Sequence, residues 1–148
     1  MTNTLTIAVD AMGGDGAPEK IVEGIIHHYK KNSNTFYRIF GDQEKISKFI
    51  SNGLNKENFE IIHTKEIVQD TDTPLTAAKR GKNTSMWMAI DSVKNKKSDV
   101  IISAGNTGAL FVIAKLNLKM IENIDKPALS GLWPTRKGMS VVLDLGAN

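Results

Sequence analysis

TIAVDAMGGDGAPEKIVEGII, residues 6–26, sets the architecture of the chain. The β-branched residues and apolar content of LTIAVDA (5–11) predict a strand. Gly13, Gly14 and Gly16 then break the pattern, and Pro18 fits a first helical position, where its missing N–H costs nothing. Beyond it Ile21, Val22, Ile25, Ile26 and Tyr29 recur at spacings of three and four, which makes one apolar helical face. A strand, a glycine turn and a helix in immediate succession begin a strand–helix–strand unit.

The alternation continues outward from there. TFYRIFG (35–41) reads as a second strand, Asp42 as the cap of a helix over QEKISKFISN, and Gly53 as its stop. FEIIHT (59–64) is a third strand. Thr73-Pro74 opens a helix through TPLTAAKRGK, which Gly81 interrupts before SMWMAIDSVKN resumes it. DVIISA (99–104) is short and wholly apolar, the pattern of a strand buried on both faces of a parallel sheet. AGNTG and the helix ALFVIAKLNLKMIE follow, and PALSGLWPT and MSVVLDLG read as two strands joined at Arg136-Lys137-Gly138. With no internal repeat and no linker, this is one α/β domain, a mostly parallel sheet covered by helices.

Composition narrows the chemistry. The 148 residues are 41% hydrophobic and 24% charged, values of an ordinary globular domain with a real core. The net charge of +3 comes from scattered lysines, with the tightest cluster at Lys94, Lys96 and Lys97. No aromatic residues interleave with a basic stripe, so nucleic acid is not an expected partner. The absence of cysteine excludes disulfides, thiolate metal sites and a cysteine nucleophile. His27 and His28 are neighbours on a helix and His63 lies on a strand, so no metal-ligand spacing exists and no metal or cofactor is expected. Ser103 lacks the G-x-S-x-G context of a serine nucleophile. No secretory signal is visible, and the longest apolar run, ALFVIA at 109–114, is far short of the roughly 20 residues of a membrane span. The expected location is cytoplasmic, at most peripheral to a membrane.

Right-handed crossovers bring every strand-to-helix turn to the C-terminal edge of such a sheet, where ligands bind. Three small, polar, glycine-bearing turns are expected there: DAMGGDG (10–16), SAGNTG (103–108) and DLGAN (144–148). Glycine permits close backbone approach, and a turn that opens a helix presents unpaired N–H groups and a positive dipole end. Together these make an anion site. Its candidate lining is Gly13, Gly14, Asp15, Gly16, Ser103, Gly105, Gly108, Asp144, Gly146 and Asn148, while Asn106 and Thr107 can cap the helix or turn their side chains to a bound phosphate. Neither the dinucleotide pattern G-x-G-x-x-G nor a P-loop is present. Asp10, Asp15 and Asp144 oppose a bound anion unless a cation intervenes, or they accept backbone N–H bonds and brace the loops. Lys79, Arg80 and Lys82 are candidates to neutralise that charge, or are plain surface residues.

IAVDAMGGDGAP, SDVIISAGNTGAL and VVLDLGAN, in that order, closely resemble the signature segments of the PlsX family of bacterial phosphate acyltransferases. DTPLTAAKRGKNTSMWMA and the Pro127–Leu129 segment are similar to that family as well, so the resemblance covers Leu5 to Asn148. It implies a three-layer α/β/α Rossmann-like fold, related to phosphate acetyltransferases and isocitrate-type dehydrogenases. It also implies acyl transfer from acyl carrier protein to inorganic phosphate, giving acyl phosphate for phospholipid synthesis. A cytoplasmic homodimer without cofactor, loosely associated with a membrane, is expected on the same ground. The resemblance further implies Asn106 and Thr107 as the candidate catalytic donors, with Lys79, Arg80 and Lys82 as candidates to meet the acidic carrier protein. Family members are more than twice as long, so the chain is expected to be an N-terminal part with an unpaired sheet edge. The alternatives are a non-catalytic fragment that binds phosphate or carrier protein or pairs with a separate C-terminal half, and, less well matched, a nicotinamide-dependent dehydrogenase or a phosphate acetyltransferase.

Overall fold

The computed structural model describes residues 4–50 and 53–146. Its elements are β1 (Leu5–Asp10), α1 (Glu19–Lys31), β2 (Thr35–Gly41), α2 (Gln43–Ile50), β3 (Phe59–His63), α3 (Pro74–Lys79), α4 (Ser85–Lys94), β4 (Val100–Ser103), α5 (Thr107–Asn117), β5 (Ser130–Thr135) and β6 (Gly138–Leu143). Four strands form a parallel sheet in the order β3-β2-β1-β4, as the alternation predicts.

Side chains alternate across β1 and thereby assign its two faces. Ile7 and Val9 point to a core shared with Val22 and Ile25 of α1, Tyr37 and Ile39 of β2, and Ile46 and Ile50 of α2. The helical face read from the sequence is the one buried here, with Ile21, Ile26 and Tyr29 packed at its margin. Each such side chain, fully buried, contributes about 1.5–3 kcal/mol as an upper estimate. On the other face Ala8 meets Phe40 and Ala89 of α4. Both alanines are fully buried, and their small size lets α4 lie close on the sheet. A further core joins Met86 and Ile90 of α4 to Ala77 of α3 and to Ala109 and Ile113 of α5. The result is helix, sheet and helix in three layers.

The caps of α2 and α3 agree with the sequence, while Pro18 stands at the N-cap of α1, one residue before the first helical position expected for it. Asp42 Oδ1 accepts the N–H groups of Glu44 (3.1 Å) and Lys45 (3.4 Å) at the start of α2. Thr73 Oγ1 accepts the Thr76 N–H, and Pro74 occupies the first turn of α3. Gly81, at φ +104°, separates α3 from α4 as expected.

Three expectations need correction. β4 is not buried on both faces: it is the sheet edge among the described residues, and Val100 and Ile102 are 41% and 52% exposed. Only Ile101 and its face pack inward, against α4 and α5. The last helix ends at Asn117 rather than continuing to 122, where Lys94 Nζ donates to Asn117 Oδ1 (3.0 Å) and the chain leaves extended at Leu118. β5 and β6 do form a hairpin, paired from Ser130↔Leu143 to Thr135↔Gly138. They make a separate two-stranded sheet instead of extending the parallel one. Leu132, Trp133, Met139, Val141 and Leu143 of this hairpin are all exposed. Among the described residues no helix is long and apolar enough to cross a membrane.

Candidate functional site

Strands β1 and β4 are parallel neighbours with Asp10 opposite Ser103, so their turns leave the sheet side by side. The two turns are joined by side chains at that level. Ser103 Oγ donates to Asp10 Oδ2 (2.8 Å) and accepts the Gly105 N–H (3.2 Å). Asp10 Oδ1 accepts the Met12 N–H at 3.3 Å. Asp10 is only 2% exposed, so this carboxylate braces both loops and does not face a ligand.

Backbone closeness makes glycine necessary here. A Cβ on Gly13 would lie 2.8 Å from both Asp10 Oδ2 and the Gly105 nitrogen, inside any real contact distance. Gly14 combines φ +87° with a carbonyl oxygen, that of Ala104, 2.5 Å from where its Cβ would stand.

Asn106 caps α5. Its Oδ1 accepts the Ala109 N–H (2.9 Å), while its Nδ2 donates to the carbonyls of Asp70 and Asp72, both at 3.2 Å. The side-chain amide is therefore engaged in tying the SAGNTG turn to the segment before α3. That segment has its own clamp. Arg80 grips the Asp72 carboxylate in a bidentate pair, Nε to Oδ2 and Nη2 to Oδ1 (2.8 Å). The Gln69 N–H adds a further bond to Asp72 Oδ2 at 2.8 Å. The hydrogen bonds from Arg80 hold the Asp72 carboxyl below the usual aspartate range, against the opposing effect of burial, with Gln69 assisting.

Between the turns lies an open depression of about 430 Å³, lined by Gly14, Asp15, Gly105, Thr107, Gly108 and Asp70 together with Ala104 and Asn106. Thr107 and Gly108 open α5, and first-turn N–H groups have no partner within their own helix. The helix dipole adds positive potential at the same point. Asp15 and Asp70 are exposed at the rim and oppose it. The cation packed against this turn is Lys20, whose stem runs along Gly16.

The other predicted residues disperse. Asp144 (φ +62°) and Gly146 (φ +77°) follow β6, which pairs with β5 in the separate hairpin, and neither is among the residues that line this depression. Asn148 lies outside the described residues. Arg80 is committed to Asp72, Lys79 is exposed at the end of α3, and Lys82 lines a groove beside α4. The three do not act as one basic face. His28 Nδ1 meets the Tyr37 hydroxyl at 2.6 Å, and burial raises the pKa of that tyrosine. His63 Nδ1 accepts the Gln43 N–H at 3.1 Å. Among the described residues no group of three His, Asp or Glu is placed to hold a metal ion.

Sequence reasoning did not find Asp70, Lys20 or the packing of Pro74 against Gly108, where a Cβ would stand 2.9 Å from Pro74 Cγ. The Thr73-Pro74 signal was visible as a helix start. That this start packs behind the α5 turn depends on a contact between distant segments, which no local pattern carries.

Known proteins place the chain in a family. The family model described as fatty acid synthesis protein matches residues 5–148. A phosphate acyltransferase of Pelagibacter ubique is 72% identical over 148 residues, covering 100% of this chain and 44% of that protein. Phosphate acyltransferases of Parvibaculum lavamentivorans and Maricaulis maris are 46% and 44% identical, across 99% and 100% of this chain and 41% and 43% of theirs. The chain thus spans less than half the length of these relatives. Since the match runs through all three motif segments, the chain belongs to the fatty acid synthesis protein family, the PlsX-type phosphate acyltransferases that its motifs resemble.

Proposed function

We propose that this chain supplies the phosphate-holding part of an acyl-ACP:phosphate transacylase. A phosphate oxygen bonds to the thioester carbonyl carbon of a fatty acyl carrier protein, the C–S bond breaks, and the carrier thiol leaves with a proton. The acyl phosphate product serves phosphatidic acid synthesis. Phosphate sits at the N-terminus of α5, held by the N–H groups of Thr107 and Gly108 and by the Thr107 hydroxyl. Gly14 and Gly105, which line the depression, border the space for the thioester end, placed about 3–3.5 Å from the attacking oxygen. Asn106 keeps the turn in shape through its cap and its bonds to the 70–72 carbonyls. Direct attack by phosphate needs no enzyme nucleophile, which suits a chain without cysteine. The observation that carries this reading is the Asp10–Ser103–Gly105 junction, which fixes two glycine turns around a helix N-terminus. Acyl carrier protein and inorganic phosphate are its substrates, in a cytoplasmic homodimer that touches the membrane peripherally.

One observation favours a second reading. Among the described residues no basic one lines the depression, while Asp15 and Asp70 do. The chain then needs a further polypeptide, equivalent to the rest of its relatives' length, to supply cations before turnover. Release of free carrier thiol from palmitoyl-ACP tests both. Phosphate-dependent release by this chain alone supports a self-sufficient pocket. Release only after addition of the remaining polypeptide of the Pelagibacter relative supports the second reading. No release in either case refutes the function.

A further inference from the structure

A second cavity, of about 400 Å³, runs between α4 and strands β2 and β3 and shares no lining residue with the depression at the glycine turns. Its apolar wall comes from Phe40, Ile62, Trp87 and Met88. Its charged groups are Arg38, Lys82 and Lys97 against a single acid, Asp91. Asp91 is already engaged, because its Oδ2 accepts from Asn95 Nδ2 at 2.6 Å.

Arg38 is the anomaly. It stands on β2, an inner strand of the sheet, on the same face as Phe40. A charged group in that position is stable only when its donors are met. A guanidinium carries five N–H donors. Arg38 makes one ion pair, Nη1 to Glu60 Oε1 at 3.1 Å, and its Nε is buried without a hydrogen-bond partner. Lys82 and Lys97 are exposed, and among the described residues neither forms an ion pair. Unmet cationic donors beside an aromatic and aliphatic wall is the composition of a ligand pocket, mostly apolar with a few orienting polar groups.

We propose that this groove binds an anionic amphiphile, its carboxylate or phosphate head paired with Arg38 and flanked by Lys82 and Lys97, its apolar body against Trp87 and Phe40. A bare inorganic anion leaves the apolar wall unused, and a neutral amphiphile leaves the donors of Arg38 not taken by Glu60 without an anionic partner. The head and the body are both required. The site is independent of the function assigned to the glycine turns.

Trp87 is a built-in reporter. The chain has two tryptophans, so Trp133→Phe isolates its fluorescence. Octyl phosphate, octanoate, octan-1-ol and inorganic phosphate are titrated into that variant. Saturable change is expected with octyl phosphate or octanoate, and the tighter of the two names the head group. Octan-1-ol and inorganic phosphate are expected to bind at least about tenfold more weakly, the worth of one hydrogen bond to a charged group. Arg38→Met should weaken binding about tenfold or more on the same ground. Should Arg38→Met not fold, the surface pair Lys82→Gln with Lys97→Gln, expected to weaken binding about threefold to tenfold, carries the test. The proposal is overturned by no saturable change with either anionic amphiphile, by equal binding of octan-1-ol, or by unaltered affinity in the folded variants.

Discussion

Replacing Ser103 with alanine deletes one oxygen atom and breaks two hydrogen bonds at the meeting point of the two turns. The hydroxyl donates to Asp10 Oδ2 at 2.8 Å and accepts the Gly105 N–H at 3.2 Å. The first bond engages a carboxylate that is 2% exposed, so its loss leaves an acceptor oxygen with no partner and little access to water. A hydrogen bond to a charged group is worth about 1.5–3 kcal/mol and a neutral one about 1 kcal/mol. Ser103→Ala should therefore destabilise the chain by about 2–4 kcal/mol, a large share of the 5–15 kcal/mol typical of a domain. Urea titration followed by far-ultraviolet circular dichroism measures this as a lower midpoint at unchanged slope. Asp10→Ala and the double variant complete a cycle. Because the two side chains touch, a coupling energy of about 1–3 kcal/mol is expected. Additivity within about 0.5 kcal/mol would refute the claim that this pair joins the turns.

Other expectations follow the same geometry. Gly13→Ala forces a methyl group against the Gly105 backbone and should cost about 1–3 kcal/mol in urea unfolding, with a shift of the Gly105 amide resonance. Asn106→Ala removes the cap of α5 and its tether to the 70–72 carbonyls, for a loss of about 1–2 kcal/mol, and a loss under about 0.3 kcal/mol would refute the tether. Asp15 is exposed and makes no hydrogen bond among the described residues, so Asp15→Asn should leave the urea midpoint in place while phosphate binding by calorimetry tightens about twofold to fivefold. Asp72, depressed by Arg80, contributes stability that is complete above the ordinary aspartate pKa of 3.8 and is lost as pH falls through its lower folded value. In Arg80→Met that acid-side loss should shrink, and parallel midpoint-against-pH curves for parent and variant would contradict it.

What the sequence could and could not reveal divides by contact range. α1 was legible because its apolar face repeats locally, and β2 because Thr35–Gly41 is bounded by polar residues and the Gly41-Asp42 step. The same local logic read Val100–Ser103 as a doubly buried strand, since four apolar or small residues in a row look alike in the middle of a sheet and at its edge. Only the pairing order, which is non-local, puts β4 outermost. The hairpin's turn was visible but its place was not, because Ser130–Leu143 pairs within itself. At the site, the glycines were readable as close-approach positions, while the partners of Asn106 and Arg80 lie in a segment whose contacts leave no periodic trace.

The self-contained hairpin has a consequence for how the molecule opens. Among the described residues its extensive contacts run between its own two strands, not to the parallel sheet. A lone two-stranded ribbon is marginal in water. The amides of Ser130–Leu143 are thus expected to exchange with solvent through an opening that leaves the four-stranded sheet closed, a separate cooperative unit with its own, smaller free energy. Trp133 reports on that unit and Trp87 on the sheet, so intrinsic fluorescence of the parent chain sums two transitions, and each tryptophan followed alone will give a different midpoint.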